Sequence, residues 1–187
     1  MLMLSVDSSA APASVCLFED GKVIADYYLN TGFTHSQTLM PMIEDMLRNA
    51  GLSLEAVDAL AVAVGPGSFT GLRIGVATVK GLALGTNKPC VGVSTLEALA
   101  YNLVGCCGLI CPVMNARRNQ LYNALFLCQN GRLTRICDDR LISVFDLEEE
   151  LKAYSDKKIY LCGDGYDIAK NNFSKITTNY GREFKCT

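Results

Sequence analysis

The alternation of apolar and polar positions at the start of the chain predicts three β-strands. Residues 1–7 form an apolar, β-prone run, and residues 14–18 and 23–29 flank the sequence Glu19-Asp20-Gly21-Lys22. An Asp-Gly pair between two such runs is a strong hairpin signal, because both residues tolerate the positive φ angles of a tight turn. We therefore expect a first strand followed by an antiparallel hairpin.

A helical period follows the hairpin. Residues 34–50 carry an apolar stripe at the three- and four-residue spacing of an α-helix. The stripe consists of Leu39, Met42, Ile43, Met46 and Leu47. Thr34 or Ser36 is the expected N-cap, and Gly51 suits the position just after the helix. The stripe fits two roles, packing on the protein's own core and, through its methionines, binding a partner.

The centre of the chain predicts a buried strand, a glycine-rich turn and a second helix. Residues 57–64 are almost continuously apolar, as in a central strand, and residues 71–85 form the predicted helix. Each glycine inside that helix costs up to about 1 kcal/mol relative to alanine. These glycines are Gly71, Gly75, Gly81 and Gly85. Close approach of the protein's own sheet or of a helix from another chain would explain them, and the sequence leaves both open.

The second half of the chain repeats the order of the first. The first lobe ends with a predicted strand at residues 90–93 and a helix at 95–104. The second has predicted strands at 109–114, 121–128 and 133–136, a helix at 145–154 and a strand at 158–162, so that both lobes contain the order β-β-β-α-β. Asn130-Gly131 is a second hairpin signal. The repeat predicts an α/β fold of two related lobes, residues 1–105 and 106–187. The polar residues after Gly165 form no clear final helix, so the second lobe is expected to lack cover over one sheet face.

Composition narrows the class of protein. The 187 residues are 50% hydrophobic and 19% charged, with a net charge of −2 and a pI of about 5.4, which excludes a broad basic surface for nucleic acid. The residues after Met1 lack a charged segment followed by an apolar one, so no secretory signal is expected. The longest apolar helical stretch contains Lys80 and is too short for a bilayer. We therefore expect a cytoplasmic protein without membrane contact. Nine cysteines without a C-x-x-C pair are expected to be reduced thiols.

The glycine-rich turn directs several backbone N–H groups to one place, which favours an anion there. It does not fit the phosphate-binding P-loop, because no lysine follows Gly71. It also misses the dinucleotide fingerprint, since Thr70 stands where the third glycine belongs, and Pro66 removes one N–H.

Residues 65–75, Gly-Pro-Gly-Ser-Phe-Thr-Gly-Leu-Arg-Ile-Gly, resemble the signature of the TsaB (YeaZ) family of bacterial tRNA-modification proteins. Further matching segments are residues 4–9, His35-Ser36, residues 115–118 with Tyr122, and residues 161–165. The resemblance covers about residues 1–168. It implies two ribonuclease-H-like lobes of the actin/sugar kinase/Hsp70 (ASKHA) superfamily, each a mixed sheet with flanking helices. Family members continue with further helices beyond Asp167, so this copy is expected to be truncated or a short variant.

The resemblance implies a non-catalytic scaffold subunit that supports TsaD in threonylcarbamoyl transfer to adenosine 37 of tRNA, with the ATPase TsaE joining the complex and tRNA contacted only indirectly. A four-helix contact with TsaD would bury on the order of 1,600 Å² or more, and the same faces would pair two copies when TsaD is absent. The expected interface residues are Leu39, Met42, Ile43, Met46, Leu72, Arg73, Gly75, Val76, Val79 and Lys80. Gly75→Arg is expected to abolish partner binding in a chain that stays folded.

Catalytic relatives carry a His-x-x-x-His metal pair where this chain has Thr95 and Leu99, and most family members have aspartate at Asn115. Neither Thr95 nor Leu99 is a good transition-metal ligand, so we expect no metal site and no catalytic residues. His35 alone is expected to be a cap or surface residue.

Two alternatives to the scaffold stay open. One is a nucleotide-binding regulator that holds ATP or ADP without hydrolysis. Its candidate residues are Asp7, Ser8, Gly65, Gly67, Ser68 and Thr70. Asp7 has a simpler explanation as a turn residue that accepts the Ser9 N–H. The other is a peptidase-like or kinase-like enzyme with Ser68 or Ser8 as the nucleophile, which lacks a general base in a chain with one histidine.

Overall fold

The computed structural model describes residues 1–173 and divides the chain into two compact units, Met1–Val93 and Ser94–Thr187. Residues 94–105 thus belong to the second unit, whereas the sequence predicted them in the first lobe. The division of the chain into two domains stays a prediction. The polar tail after residue 173 lies outside the described residues. Within residues 1–173 no helix is long and apolar enough to cross a membrane.

The first unit is a five-stranded mixed sheet with two helices. Its elements are β1 Leu2–Asp7, β2 Ala13–Glu19, β3 Lys22–Leu29, α1 His35–Asn49, β4 Ala59–Gly65, α2 Phe69–Thr86 and β5 Cys90–Ser94, with a short 3-10 turn at Leu54–Ala56. The strand order is β3-β2-β1-β4-β5, with β1 antiparallel to β2 and parallel to β4. The predicted hairpin is confirmed, since Asp20 and Gly21 adopt φ angles of 46° and 88° at its turn.

The core of the first unit lies between the sheet and the two helices. Alternate residues of β1 and β2 are buried, and the whole apolar stripe of α1 packs against them. The buried members of this stripe are Leu39, Met42, Ile43, Met46 and Leu47, each no more than 7% exposed. Of the two roles left open for the stripe, the structure therefore assigns core packing. Thr34 is the N-cap and Gly51 follows the helix with φ of 67°, as predicted.

The second unit is built around the long central strand β6. Its elements are α3 Thr95–Tyr101, β6 Gly108–Asn115, β7 Gln120–Asn123, β8 Phe126–Gln129, β9 Arg132–Arg135, β10 Arg140–Ser143, α4 Val144–Leu151, β11 Ile159–Cys162 and α5 Tyr166–Asn172, with a 3-10 turn at Lys152–Tyr154. The strand order is β10-β7-β6-β8-β9, and β11 pairs with β6 in parallel.

Three expectations for the second unit are corrected. The strand predicted at residues 121–128 is interrupted, because β8 pairs with the first half of β6 and β7 with its second half. Strand β10 was not predicted. Helix α5 was not predicted either, and it buries Ala169 in the core, so this end of the described chain does hold a covering helix.

The predicted repeat is present in the topology. In each unit a central strand, β1 or β6, has an antiparallel hairpin on one side, β2–β3 or β8–β9. A parallel strand, β4 or β11, pairs on its other side after an intervening helix. The two units therefore share one strand arrangement although their sequences differ.

The core of the second unit contains Cys111, whose thiol is expected to be unreactive in the folded protein. Burial raises the pKa of the Cys111 thiol to about 12, against a weaker lowering effect of the hydrogen bond from Asn123. The folded state therefore keeps the Cys111 proton, whereas an unfolded chain loses it near pH 9. The contribution of this protonated thiol to the free energy of unfolding is thus full below about pH 9 and is lost as the pH rises toward 12.

Maleimide labelling of the native protein at pH 8 is expected to modify the exposed Cys90 and Cys107 and to spare Cys111. At this pH a thiol with the pKa of Cys111 has about a thousandfold less thiolate than an ordinary one. Mass spectrometry of the digested protein identifies the labelled sites, with a sample labelled in urea as the control. Labelling of Cys111 at the rate of Cys107 in the native protein would contradict the closed core.

Candidate functional site

The glycine-rich turn between β4 and α2 packs directly on the turn that follows β1. Ser68 N donates to Ser9 O at 2.6 Å, and the Ser8 hydroxyl donates to Gly71 O at 2.9 Å. Ser8 and Ser9 are 1% and 2% exposed, so this contact is sealed from solvent. Two segments separated by about sixty residues are thereby held against each other by one backbone hydrogen bond and one bond from the small Ser8 side chain.

Three glycines of the turn and helix make this close packing possible. A Cβ atom at Gly67 would overlap Ser9 O, one at Gly71 would overlap Ser8 O, and one at Gly75 would overlap Ser8 Oγ. The three positions are four residues apart, which places them on one face of α2 and the turn before it. Of the two explanations left open by the sequence, the protein's own packing therefore accounts for Gly71 and Gly75.

Gly81 and Gly85 are different from these glycines. No atom lies within 4 Å of a Cβ built at either position, and both residues are exposed. Neither is required by packing within the residues that the structure describes. For these two glycines, the close approach of a helix from another chain stays a prediction.

The residues predicted to bind a nucleotide lie near one another, but several of their polar groups already form hydrogen bonds within the protein. Ser68 Oγ accepts from Gly71 N at 3.3 Å and caps α2, and Ser68 O accepts from Leu72 N. The Ser8 hydroxyl is turned into the helix, as described above. Gly65 has φ of 122°, and Thr70 is exposed at the first turn of α2. Nucleotide binding here stays a prediction.

Asp7 adopts the turn geometry expected from its sequence. Its carboxylate accepts from Ser9 N at 2.8 Å, which fixes the bend after β1. His35 also supports this bend, because its Nε2 lies 3.0 Å from Ala10 O. The histidine thus joins the start of α1 to the turn that the glycines contact, and it is a structural residue in this arrangement.

The outward face of α2 exposes large apolar side chains. Phe69 is 71% exposed and Leu84 is 86% exposed, near the two ends of the helix. The Arg73 guanidinium lies 4.5 Å from the centre of the Phe69 ring, so the two side chains stack. Ala77, between them and Leu84, is exposed as well. We call Phe69, Arg73, Ala77, Lys80, Gly81 and Leu84 the α2 outer face.

The predicted interface residues divide into three groups by exposure. Leu39, Met42, Ile43, Met46, Gly75 and Val79 are buried, Leu72 and Val76 are half-buried, and Arg73 and Lys80 are exposed. The buried side chains pack within the first unit, and a partner contact that involves them stays a prediction. The exposure of Phe69 and Leu84 was not predicted, because apolar residues surround the whole helix and their pattern does not show which of them face outward.

Thr95 and Asn115 are two positions at which the sequence predicts no metal ligand. Thr95 is 2% exposed, and its hydroxyl oxygen has no hydrogen-bond partner in the described part of the chain. Asn115 accepts from Arg117 N at 2.8 Å. In residues 1–173 no three His, Cys, Asp or Glu side chains are grouped as metal ligands.

Comparison with known proteins agrees with this topology. Residues 30–183 match the family model of TsaD, tRNA N6-adenosine threonylcarbamoyltransferase. TsaB of Bacillus subtilis (strain 168) is 33% identical over 181 residues, which are 97% of this chain and 79% of that protein. TsaB of Escherichia coli (strain K12) is 45% identical over 100 residues, 54% of this chain and 43% of that protein. The solved YeaZ of Pseudomonas aeruginosa is 27% identical with a TM-score of 0.83, covering 96% of this chain and 82% of that one.

The two units with one strand arrangement define a protein of the ASKHA class with ribonuclease-H-like lobes. Within that class, the chain belongs to the TsaB family of tRNA threonylcarbamoyladenosine biosynthesis proteins. Residues 65–75 are the family signature, and the structure gives the physical reason for three of its glycines, which pack closely on Ser8 and Ser9.

Proposed function

We propose that this chain is a non-catalytic subunit that binds a TsaD transferase through the α2 outer face. The exposure of Leu84 carries the proposal, since a leucine that is 86% exposed on a regular helix adds little to the packing of its own unit. Phe69, 71% exposed, extends the apolar surface along the same helix. From Phe69 to Leu84 the face is about 22 Å long, enough for a helix of the partner to lie along it.

The chemistry of the α2 outer face suits a helix as its occupant. Ala77 and Gly81 are the smallest residues of this face, so a second helix can approach closely at its centre. Leu84 offers a large apolar side chain next to them. Arg73 and Lys80 place two cations along the same face. In this proposal α1 contributes to the contact only through exposed residues such as Met40, which is 38% exposed.

Non-catalytic status rests on residue types. Thr95 and Leu99 replace the two histidines of catalytic relatives, and the Ser8 hydroxyl is committed to Gly71 O. The chain is therefore proposed to need no metal or cofactor of its own and to act in the cytoplasm by supporting TsaD, with TsaE in the same complex and homodimers when TsaD is absent. Binding of ATP with and without magnesium, measured by calorimetry, tests the nucleotide-regulator alternative.

Leu84→Glu is expected to weaken binding to TsaD at least about 100-fold, because it puts a charge into an apolar contact at an interface hot spot. Gly81→Arg is expected to do the same by blocking the close approach of the partner helix. The measurement is calorimetric titration of each variant with purified TsaD. Val23→Glu is the matched control, since Val23 is 61% exposed on β3, away from α2, and should bind normally.

The function itself is tested by omission. Purified TsaD, TsaE, the adenylate-forming enzyme, ATP, threonine, bicarbonate and tRNA are combined with and without this chain, and modified adenosine is measured by mass spectrometry. Product is expected only with the wild-type chain or Val23→Glu, and not with Leu84→Glu. Equal product without the chain would overturn the scaffold role.

A further inference from the structure

The loop between β6 and β7 has an unusual backbone. Arg117, Arg118 and Asn119 follow one another with φ angles of 67°, 51° and 57°. The left-handed region is unfavourable for residues other than glycine, least so for asparagine, and each such residue costs on the order of 1 kcal/mol. Two successive arginines in this region indicate that the surrounding structure holds the loop in one shape.

Hydrogen bonds at both ends of the loop hold it. Arg117 N donates to Asn115 Oδ1 at 2.8 Å, and Gln120 N donates to Arg117 O at 2.9 Å. Asn119 O accepts from Val144 N at 3.2 Å, which ties the loop to the start of α4. The two arginines are therefore presented by a fixed turn and not by a free chain.

Both arginines are exposed, and neither forms an ion pair within residues 1–173. Two carboxylates close to the loop in the fold are held by hydrogen bonds from neutral groups and not by the arginines. The Asp164 carboxylate accepts from Asn115 N at 2.9 Å, and Asp146 is held at the N-terminus of α4 by Ser143. The loop thus carries two positive charges that no ion pair engages within residues 1–173, on an otherwise slightly acidic chain.

An exposed aromatic residue follows the point where α4 is bonded to the loop. Phe145 follows Val144, whose N–H bonds to the loop, and it is 62% exposed although Val144 and Leu147 of the same helix are buried. Most of this ring therefore faces solvent. Arginines next to an exposed ring match the chemistry of single-stranded RNA, in which phosphates alternate with unstacked bases.

We propose that residues 115–120 and Phe145 form an RNA contact in which Arg117 and Arg118 bind phosphates and Phe145 stacks on an unpaired base. This inference rests on the proposed function for the identity of the RNA, a tRNA substrate of the complex. It amends the expectation of purely indirect tRNA contact, because a local pair of charges needs no broad basic surface. Arginine suits this role, since its planar guanidinium binds phosphate through two hydrogen bonds.

The test measures tRNA binding by the assembled complex of this chain with TsaD at 50, 100 and 200 mM KCl. Arg117→Asn with Arg118→Asn removes both charges and keeps a residue that tolerates the left-handed region. We expect the slope of log affinity against log salt to become shallower by about 1.4, for two single-strand phosphates. Phe145→Ala is expected to lower affinity about tenfold with an unchanged slope, because stacking releases no counterions.

Arg132→Gln is the matched control. Arg132 is exposed on β9 with no ion pair among residues 1–173, and its replacement should change neither slope nor affinity. A wild-type slope and affinity in the double asparagine variant would overturn the inference. So would a loss of TsaD binding in that variant, which would assign the loop to a protein partner. If the wild-type chain does not bind TsaD, the proposed function fails, and the loop is tested on the chain alone with the same tRNA.

Discussion

Gly75→Arg is expected to unfold the first unit and not only to remove a partner contact. A Cβ atom at Gly75 would overlap Ser8 Oγ, and Ser8 is 1% exposed with its hydroxyl bonded to Gly71 O. The overlap and the buried guanidinium together should lower the free energy of unfolding by about 4 kcal/mol or more. Because domains are stable by only about 5–15 kcal/mol, the variant should melt far earlier than the wild type, as measured by circular dichroism.

Gly81 provides the matched control for this prediction. It lies on the same helix with open space around its Cβ position, so Gly81→Arg should keep the wild-type melting curve. Gly81→Ala should raise the melting temperature slightly, since alanine favours a helix over glycine by up to about 1 kcal/mol. A Gly75→Arg chain that melts like the wild type would contradict the packing of α2 on the turn after β1. Partner-binding experiments with Gly75 variants would otherwise measure folding.

Much of the first unit was predictable because its signals are local. Asp20-Gly21 between two apolar runs specified the hairpin, and Thr34, the apolar stripe and Gly51 specified the bounds of α1. Each of these signals acts within one turn or one helix, so no knowledge of distant residues is needed. The two roles left open for the α1 stripe could not be separated in this way, since burial depends on where β1 and β2 lie.

The second unit shows where local signals fail. No glycine or proline marks the interruption between β7 and β8, where Leu125 N donates to Cys137 Sγ instead of continuing a ladder. Strand β10 is only four residues long and begins after a polar segment. Short elements of this kind are stabilised by their neighbours more than by their own sequence, so their pattern alone does not predict them.

For a similar reason, the sequence predicted where the glycine-rich turn lies but not which residues it contacts. The spacing of Gly67, Gly71 and Gly75 marked the segment as special, but the cause of the spacing is the backbone of Ser8 and Ser9. These two serines are far away in sequence, and only the parallel pairing of β1 with β4 brings them to the turn. A glycine motif therefore identifies a close approach without identifying what approaches.

Asn123→Leu is expected to destabilise the second unit strongly, by about 3 kcal/mol. Asn123 is fully buried, and its amide donates to Pro112 O and Ala124 O at 3.0 Å each and to Cys111 Sγ. Its carbonyl oxygen accepts from the Arg140 guanidinium at 3.1 Å. Leucine has a similar volume but leaves these buried groups without partners, at about 1–3 kcal/mol for each that finds no replacement.

Labelling of Cys111 measures this loss in the second unit alone, because its thiol reacts only when that core opens. A loss of about 3 kcal/mol should speed labelling of Cys111 by about 100-fold and leave the exposed Cys90 unchanged. Arg140→Met removes the other end of the network, and Arg140 also pairs with Glu150 at 2.7 Å. The double variant should lose less than the sum of the two single losses, since each removes the same bond. Strict additivity, or wild-type labelling of Cys111 in Asn123→Leu, would show that the amide does not hold β6, β7 and β10 together.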